Sequence, residues 1–297
     1  MRRKMLGVLK ATAFAPGHIS AFFEPYYDEN IERSGSRGAG INISLGAFSE
    51  VTMSKSTRQD IKVYINNRES DARVTKLALK NIIRDSPLQV MVRIKQELPE
   101  GQGFGMSAAS SLSAAYALSS LLGLSKIDAI KAAHSAEVQL RTGLSDVIAS
   151  AFGGAEVRRE PGLPPWGFIE HIVGDYKIVI CVIGEKIETK HVLNDENKLR
   201  LIRNYGRYCT KKLLENPSIE NMIRLSKYFA EKTELVREDV MEAINAASFH
   251  GLAGMCMLGN SVFAIGKTEE LKNTLSSFGK VYVADIDRYG VRILKRG

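Results

Sequence analysis

The chain lacks most of the features that would set it apart from ordinary soluble enzymes. No uninterrupted apolar stretch in its 297 residues is long enough to cross a bilayer. Residues 1–7 are basic, but no apolar core with a cleavage site follows them, so no secretory leader is expected. Cysteine is scarce, and Cys181, Cys209 and Cys256 form an odd, widely spaced set. That pattern argues against a disulfide framework and a cysteine-based metal knuckle. Buried free thiols in a reducing, cytoplasmic setting are the expectation. His134, His171, His191 and His250 show no metal-ligand spacing, and there are no repeats or low-complexity tracts. Lys and Arg number 41 against 33 Asp and Glu, a formal charge of +8, yet no basic run and no interleaving of cations with aromatics occurs. A solvated surface that favours small anionic substrates fits this better than a nucleic-acid interface.

What is present is a composition typical of a soluble globular protein, 44% hydrophobic and 25% charged, long enough for one large domain or two ordinary ones. The most informative stretch is residues 99–111, Pro-Glu-Gly-Gln-Gly-Phe-Gly-Met-Ser-Ala-Ala-Ser-Ser. Gly101, Gly103 and Gly105 stand at alternate positions, so the backbone there can turn its N–H groups inward around an anion. An alanine- and serine-rich helix is expected over 107–122, with Gly123 ending it, and a helix N-terminus favours phosphate. This is no Walker A loop, because Gly105 is followed by Met106 and Ser107 rather than by Gly-Lys-Ser/Thr. It is no Rossmann fingerprint either, since the glycine spacing is wrong and the usual acidic residue is missing.

Around the loop, residues 10–15 read as a strand entering a turn at Pro16-Gly17, and 34–40 are glycine-rich ahead of a β-rich run over 41–53. Alternation predicts strands over 61–65 and 88–95, and a helix over 71–84. Leu112, Ala115, Leu118 and Leu122 predict one buried stripe on the helix after the loop. Ser125 and Asp128 have the spacing of a capping box for a helix running to about 140. Three prolines in Pro161-Gly162-Leu163-Pro164-Pro165 make 160–166 the best boundary. Beyond it come a strand over 176–183, helices near 195–215, 218–230 and 237–249, paired strands over 254–258 and 261–265, a short helix over 268–277, and two final strands. Strands and helices mix in both halves, which predicts an α+β protein in two lobes, residues 1–160 and 161–297.

Three residues could carry chemistry. Glu137 shares a helix face with Ile130; a carboxylate there needs a cationic partner or a divalent ion, unless it sits at a solvated edge. Asp146, nine residues on, is either an N-cap for a short helix or a group that receives a proton from a substrate hydroxyl. Ser107 can serve as a helix-start residue, as an oxygen ligand for Mg²⁺ beside a phosphate, or as both.

The early Pro-Gly turn, the Pro-x-Gly-x-Gly-Phe-Gly-x-Ser-Ala-Ala helix start, the later Thr-Gly-x-x-Asp…Gly-Gly and a glycine-bearing strand near the end resemble the GHMP small-molecule kinase superfamily. Within it, residues 14–20, 35–41, 101–109 and 254–263 are similar to the branch that phosphorylates pantoate on the archaeal route to coenzyme A. The resemblance implies an N-terminal lobe like domain 2 of ribosomal protein S5 and a ferredoxin-like C-terminal lobe. It also implies ATP and Mg²⁺ as cofactors and a small-molecule substrate, with no nucleic acid and no membrane, and it leaves a homodimer open. By that resemblance the nucleotide loop comprises Pro99, Gly101, Gln102, Gly103, Phe104, Gly105, Met106, Ser107 and Ala108. Ser107 and Glu137 hold Mg²⁺, and Asp146 is catalytic. His18 stands where many relatives carry a lysine that pairs with the aspartate, so it is a catalytic and substrate-site candidate. Arg37 and Gly38 are further substrate-site candidates, with Lys190 and Arg207 as other cations for the substrate carboxylate. Open alternatives are a kinase for mevalonate, homoserine or shikimate, a nucleotide- or metabolite-binding protein without turnover, and an RNA-binding protein.

Overall fold

Long runs of alternating burial build the first sheet. The computed structural model describes residues 8–186 and 195–297. Residues 1–7, Lys190 and His191 therefore lie outside the described residues. Strands β1 (Leu9–Tyr26) and β2 (Gly35–Lys55) pair antiparallel along nearly their whole length. Pro16-Gly17, expected as a turn, instead lies inside β1 at a bulge, with a second bulge between Ser20 and Phe22. A bulge takes up the irregularity of a proline–glycine pair without ending the strand. The glycine-rich stretch 34–40, expected only as a prelude to β2, largely forms its first part. A Cβ on Gly38 would meet the Phe22 carbonyl, and one on Gly40 would meet the His18 ring.

β3 (Asp60–Ile65), β4 (Arg68–Glu69) and β5 (Leu88–Gln96) extend the sheet beyond β2, with β3 and β5 parallel. Helix α1 (Arg73–Ile83) joins β4 to β5. Helices α2 (Met106–Leu122), α3 (Lys126–Gln139) and α4 (Asp146–Phe152) follow. α2 departs from the single buried stripe: 13 of its residues are buried, because it lies between β1 and β2 on one side and α1 and α3 on the other. Its alanines and serines are small enough to pack on every face, and Ser113 Oγ meets Ser49 Oγ of β2 at 2.7 Å. The capping box at Ser125 and Asp128 is formed in both directions and opens α3.

β6 (Ala155–Glu160) pairs with the first part of β2, and β7 (Phe168–Ile172) pairs with β6. The expected boundary at 160 thus falls inside the first sheet: the prolines form the connection of an antiparallel pair, not a domain linker. The second sheet starts with β8 (Ile178–Val182). After it come α5 (Glu196–Glu215), α6 (Ile219–Lys232), α7 (Glu238–Ala247), β9 (Gly251–Met255), β10 (Ser261–Gly266), α8 (Thr268–Ser276) and β11 (Lys280–Ala284). The strand order β11-β8-β10-β9 is the ferredoxin-like arrangement. β12 (Arg292–Arg296) then returns to the free side of β1, so the first lobe includes the chain's last strand. Contiguous halves are ruled out by this return, which long-range pairing alone determines. The α+β class and both expected lobe types hold. Among the described residues no helix is long and apolar enough to cross a membrane.

Candidate active site

The glycine loop adopts the backbone that its composition permits. Gly101, Gly103 and Gly105 have φ of +72°, +78° and +58°, a region costly for residues with a Cβ. Gly105 is the N-cap of α2 and has no side chain with which to cap the first-turn amides of this central helix. The loop rests on the turn between β9 and β10. A Cβ on Gly103 would lie 2.6 Å from the Cys256 carbonyl oxygen, and one on Gly259 would overlap the backbone of Gln102. Cys256 is fully buried there, and burial raises its thiol pKa well above the ordinary value. The Phe104 carbonyl accepts the His18 amide at 2.9 Å, which ties the loop to the β1 bulge.

Loop and helix end form one wall of a cavity of about 420 Å³. Its lining includes Gly101, Gly103, Phe104, Gly105, Met106, Ser107 and Ala108, together with Glu137, Asp146 and residues 142–145, and a Cβ on Gly105 would lie 3.2 Å from the Asp146 Cβ. Ser20, Phe23 and Ser36 come from β1 and β2, and Met257 and Leu258 come from the second lobe. Ser107, Glu137 and Asp146, far apart in sequence, therefore face one space. Asp146 is not the N-cap of α4 but its first residue. Ser145 holds the cap position, and its hydroxyl accepts the Ser36 amide and hydroxyl at 2.8 and 2.9 Å. The Asp146 side chain is thereby free, 30% exposed, and bonded on one side to His18.

Glu137 is buried near the end of α3, and its Oε2 has no hydrogen-bond partner among the described residues. Burial, followed by the nearby Asp146 charge, raises its pKa well above the ordinary carboxylate value. A Cβ on Gly143 would collide with this carboxyl group, which explains the glycine after Thr142. An unpartnered buried carboxylate oxygen in a cavity that a serine also lines suits a hard divalent cation that takes its other oxygens from phosphate and water. Among the described residues no cluster of three or more metal-ligating His, Cys, Asp or Glu side chains occurs.

His18 is buried beneath Asp146. Its Nδ1 lies 2.7 Å from Asp146 Oδ1 and its Nε2 lies 2.8 Å from Glu156 Oε1. Glu156 is fully buried and ion-paired with the buried Arg158. Burial alone would lower the His18 pKa, but the two carboxylates outweigh it and the value is raised. Neither Glu156 nor Arg158 stood out in the sequence. Their i, i+2 spacing puts both on one face of a strand, but nothing local reveals that this face is inside.

Other candidates fall elsewhere. Gln102 does not line the cavity; its buried amide donates to the Gly184 carbonyl at 2.8 Å and accepts from Ser261 Oγ, anchoring the loop to the second lobe. Pro99 is not among the lining residues. Arg37 points into a second cavity and binds Glu160 at 2.8 Å, and Arg207 lines that same cavity, bound to Glu24. Alternation along β2 sends Ser36 to one side and Arg37 to the other. Gly38 lets β2 approach β1 closely and does not line the site.

Residues 72–154, which contain the loop, Glu137 and Asp146, match the family described as GHMP kinases N terminal domain. With the ferredoxin-like second lobe, this makes the protein a phosphotransferase of the GHMP class, acting on an alcohol group. The pantoate kinases of Methanocaldococcus jannaschii and Thermococcus kodakarensis are each 34% identical to it. They align over 280 and 286 residues, 92% of this chain in both cases and 99% and 95% of theirs. A solved structure described as a phosphotransferase related to the CoA biosynthesis pathway superimposes with a TM-score of 0.87 at 32% identity, covering 97% of this chain and 98% of that one. The chain belongs to the pantoate kinase family.

Proposed function

We propose that this protein transfers the γ-phosphoryl group of ATP to the primary hydroxyl of (R)-pantoate, giving 4-phosphopantoate in coenzyme A synthesis. The observation that carries the reading is the half-open Asp146 carboxylate lining the same cavity as the glycine cradle and packed beside Gly105, in a chain 34% identical to pantoate kinases over 92% of its length. Gly101, Gly103 and Gly105 present backbone amides to the triphosphate, and the open first turn of α2 adds its partial positive charge. Ser107 and Glu137 supply oxygen ligands for Mg²⁺, which when bound neutralises phosphate charge during transfer. Asp146 orients the alcohol and accepts its proton as the hydroxyl attacks in line. Most of the rate enhancement comes from positioning and electrostatics. The apolar side chains of Phe23, Leu144, Met257 and Leu258 offer a surface for the dimethyl carbon that adjoins the reacting hydroxymethyl group.

The test is ADP release measured with a panel of pantoate, mevalonate, homoserine and shikimate. Turnover of pantoate well above the others is the expected result; turnover of mevalonate without pantoate would replace the substrate assignment.

A further inference from the structure

The ring of His18 has an acceptor at each end. Nδ1 faces a carboxylate oxygen of Asp146 at 2.7 Å, and Nε2 faces one of Glu156 at 2.8 Å. An ionised carboxylate only accepts hydrogen bonds, whereas a neutral imidazole donates from one nitrogen and presents a lone pair at the other. A neutral ring would thus set a lone pair against a carboxylate oxygen on one side. Only the doubly protonated ring satisfies both contacts. The charges also balance: two carboxylates, an imidazolium and the Arg158 guanidinium sum to zero, and of these four groups only Asp146 reaches the cavity.

We propose that Glu156, braced by Arg158, is a positioning residue that keeps His18 doubly protonated and so fixes the Asp146 carboxylate toward the alcohol. This deepens the proposed function and relies on it for the role of Asp146. A lysine in this place would offer a rotatable ammonium group. The histidine plane is held at both ends and aims one N–H at one oxygen of Asp146, leaving the other oxygen for substrate. The backbone is shaped around this ring: a Cβ on Gly40 of β2 would strike its Nε2 and Cε1 atoms. The charged groups facing the ring are Asp146 from α4 and Glu156 and Arg158 from β6; Arg158 Nη1, 3.5 Å from Nε2, donates instead to Glu156 Oε1, which leaves Nε2 free to donate to the same oxygen. Glu137 acts on Asp146 from α3. The raised His18 pKa agrees with this geometry.

The decisive measurement is the imidazole nitrogen NMR titration of the unliganded protein, with the His18 signals assigned by their loss in His18→Gln. Both nitrogens should carry protons at neutral pH, with deprotonation above the range of a free histidine. In Glu156→Gln the midpoint should fall by about one unit or more. The alkaline limb of kcat should move with it, so that kcat drops about tenfold at high pH and changes little at low pH. KM for ATP should stay unchanged, and Glu156→Asp should restore part of the shift. A purely structural Glu156 would lower activity equally at all pH values. A wild-type ring carrying one proton at neutral pH overturns the proposal, even if Glu156→Gln fails to fold. So does a Glu156→Gln protein whose ring titration and rate profile match the wild type. A doubly protonated ring in a protein inactive on pantoate overturns the substrate assignment alone.

Discussion

Two cavities of nearly equal size, about 420 and about 410 Å³, are reached by adjacent residues of the same two strands. Phe23 and Ser36 face the first, and Glu24 and Arg37 face the second. The second holds more charge, with Arg37, Arg159, Arg207 and Lys211 beside Glu24, Glu160 and Glu215. Yet each of its acids already has a cationic partner, Glu160 with Arg37, Glu24 with Arg207 and Glu215 with Lys212, although Glu24 Oε2 and Arg37 Nε make no hydrogen bond among the described residues. In the first cavity the described lining contains no Lys or Arg, Glu137 keeps an unpartnered oxygen, and the open end of α2 has no side-chain cap. A site for a charged reaction is recognised by charge left uncompensated, not by the amount of charge present.

Substitutions should expose this contrast. Asp146→Asn should have the largest effect, lowering kcat about 10²–10⁴-fold while ATP binding, measured by calorimetry, stays within a few-fold. Activity within a few-fold of wild type would remove Asp146 from the chemistry.

Glu137→Gln should separate activity from stability. Loss of the oxygen ligand should lower kcat about tenfold to a hundredfold and weaken its dependence on Mg²⁺. The native Glu137 pKa is raised, so as pH rises past the ordinary carboxylate range the unfolded chain releases a proton that the native protein retains. Native stability therefore falls as pH rises from the ordinary carboxylate range to the raised value, and the contribution is fully present only below the ordinary range. A neutral glutamine abolishes that slope, and the thermal midpoint at neutral pH without nucleotide should rise by about 2 °C or more. A lower midpoint would show that Glu137 is satisfied in the native protein.

Gly103→Ala should be milder. A positive φ and the Cys256 carbonyl in the way should destabilise the fold by about 1–3 kcal/mol and weaken ATP binding, read by denaturant melts and calorimetry. Arg37→Ala should matter least. Its guanidinium sits over Tyr26 and pairs with a half-exposed Glu160, contacts that contribute about 1 kcal/mol or less. Its kcat and KM should stay within about twofold, and a large rise in KM for pantoate would return Arg37 to the substrate site.

The loop was legible because its conformation is a local matter. Alternate glycines permit positive φ, and the helix that follows needs only its own residues to begin. The capping box at Ser125 was legible for the same reason. Asp146 was ambiguous because cap and catalytic group look alike in a short segment; Ser145 at the cap position removes only the capping reading. Arg37 was misplaced because alternation tells that neighbours diverge, not which neighbour faces the cleft. Glu156 and Arg158 were silent because an acid and a base on one strand face read equally well as solvated surface. The division at 160 failed because proline disfavours helix and central strand but does not reveal that the strands on either side pair with each other, or that β12 returns to β1.

From residues alone came the positive-φ glycine loop, the central helix, the α+β class and the family resemblance, with Ser107, Glu137 and Asp146 as its candidate site residues. Each of these depends on backbone freedom, side-chain type or spacing within a short stretch. Only the folded chain brought His18 of β1 between Asp146 of α4 and Glu156 of β6, and sent Arg37 away from the cleft. Those outcomes depend on sheet register and on burial between distant segments, and both are set by packing energies that no single segment carries.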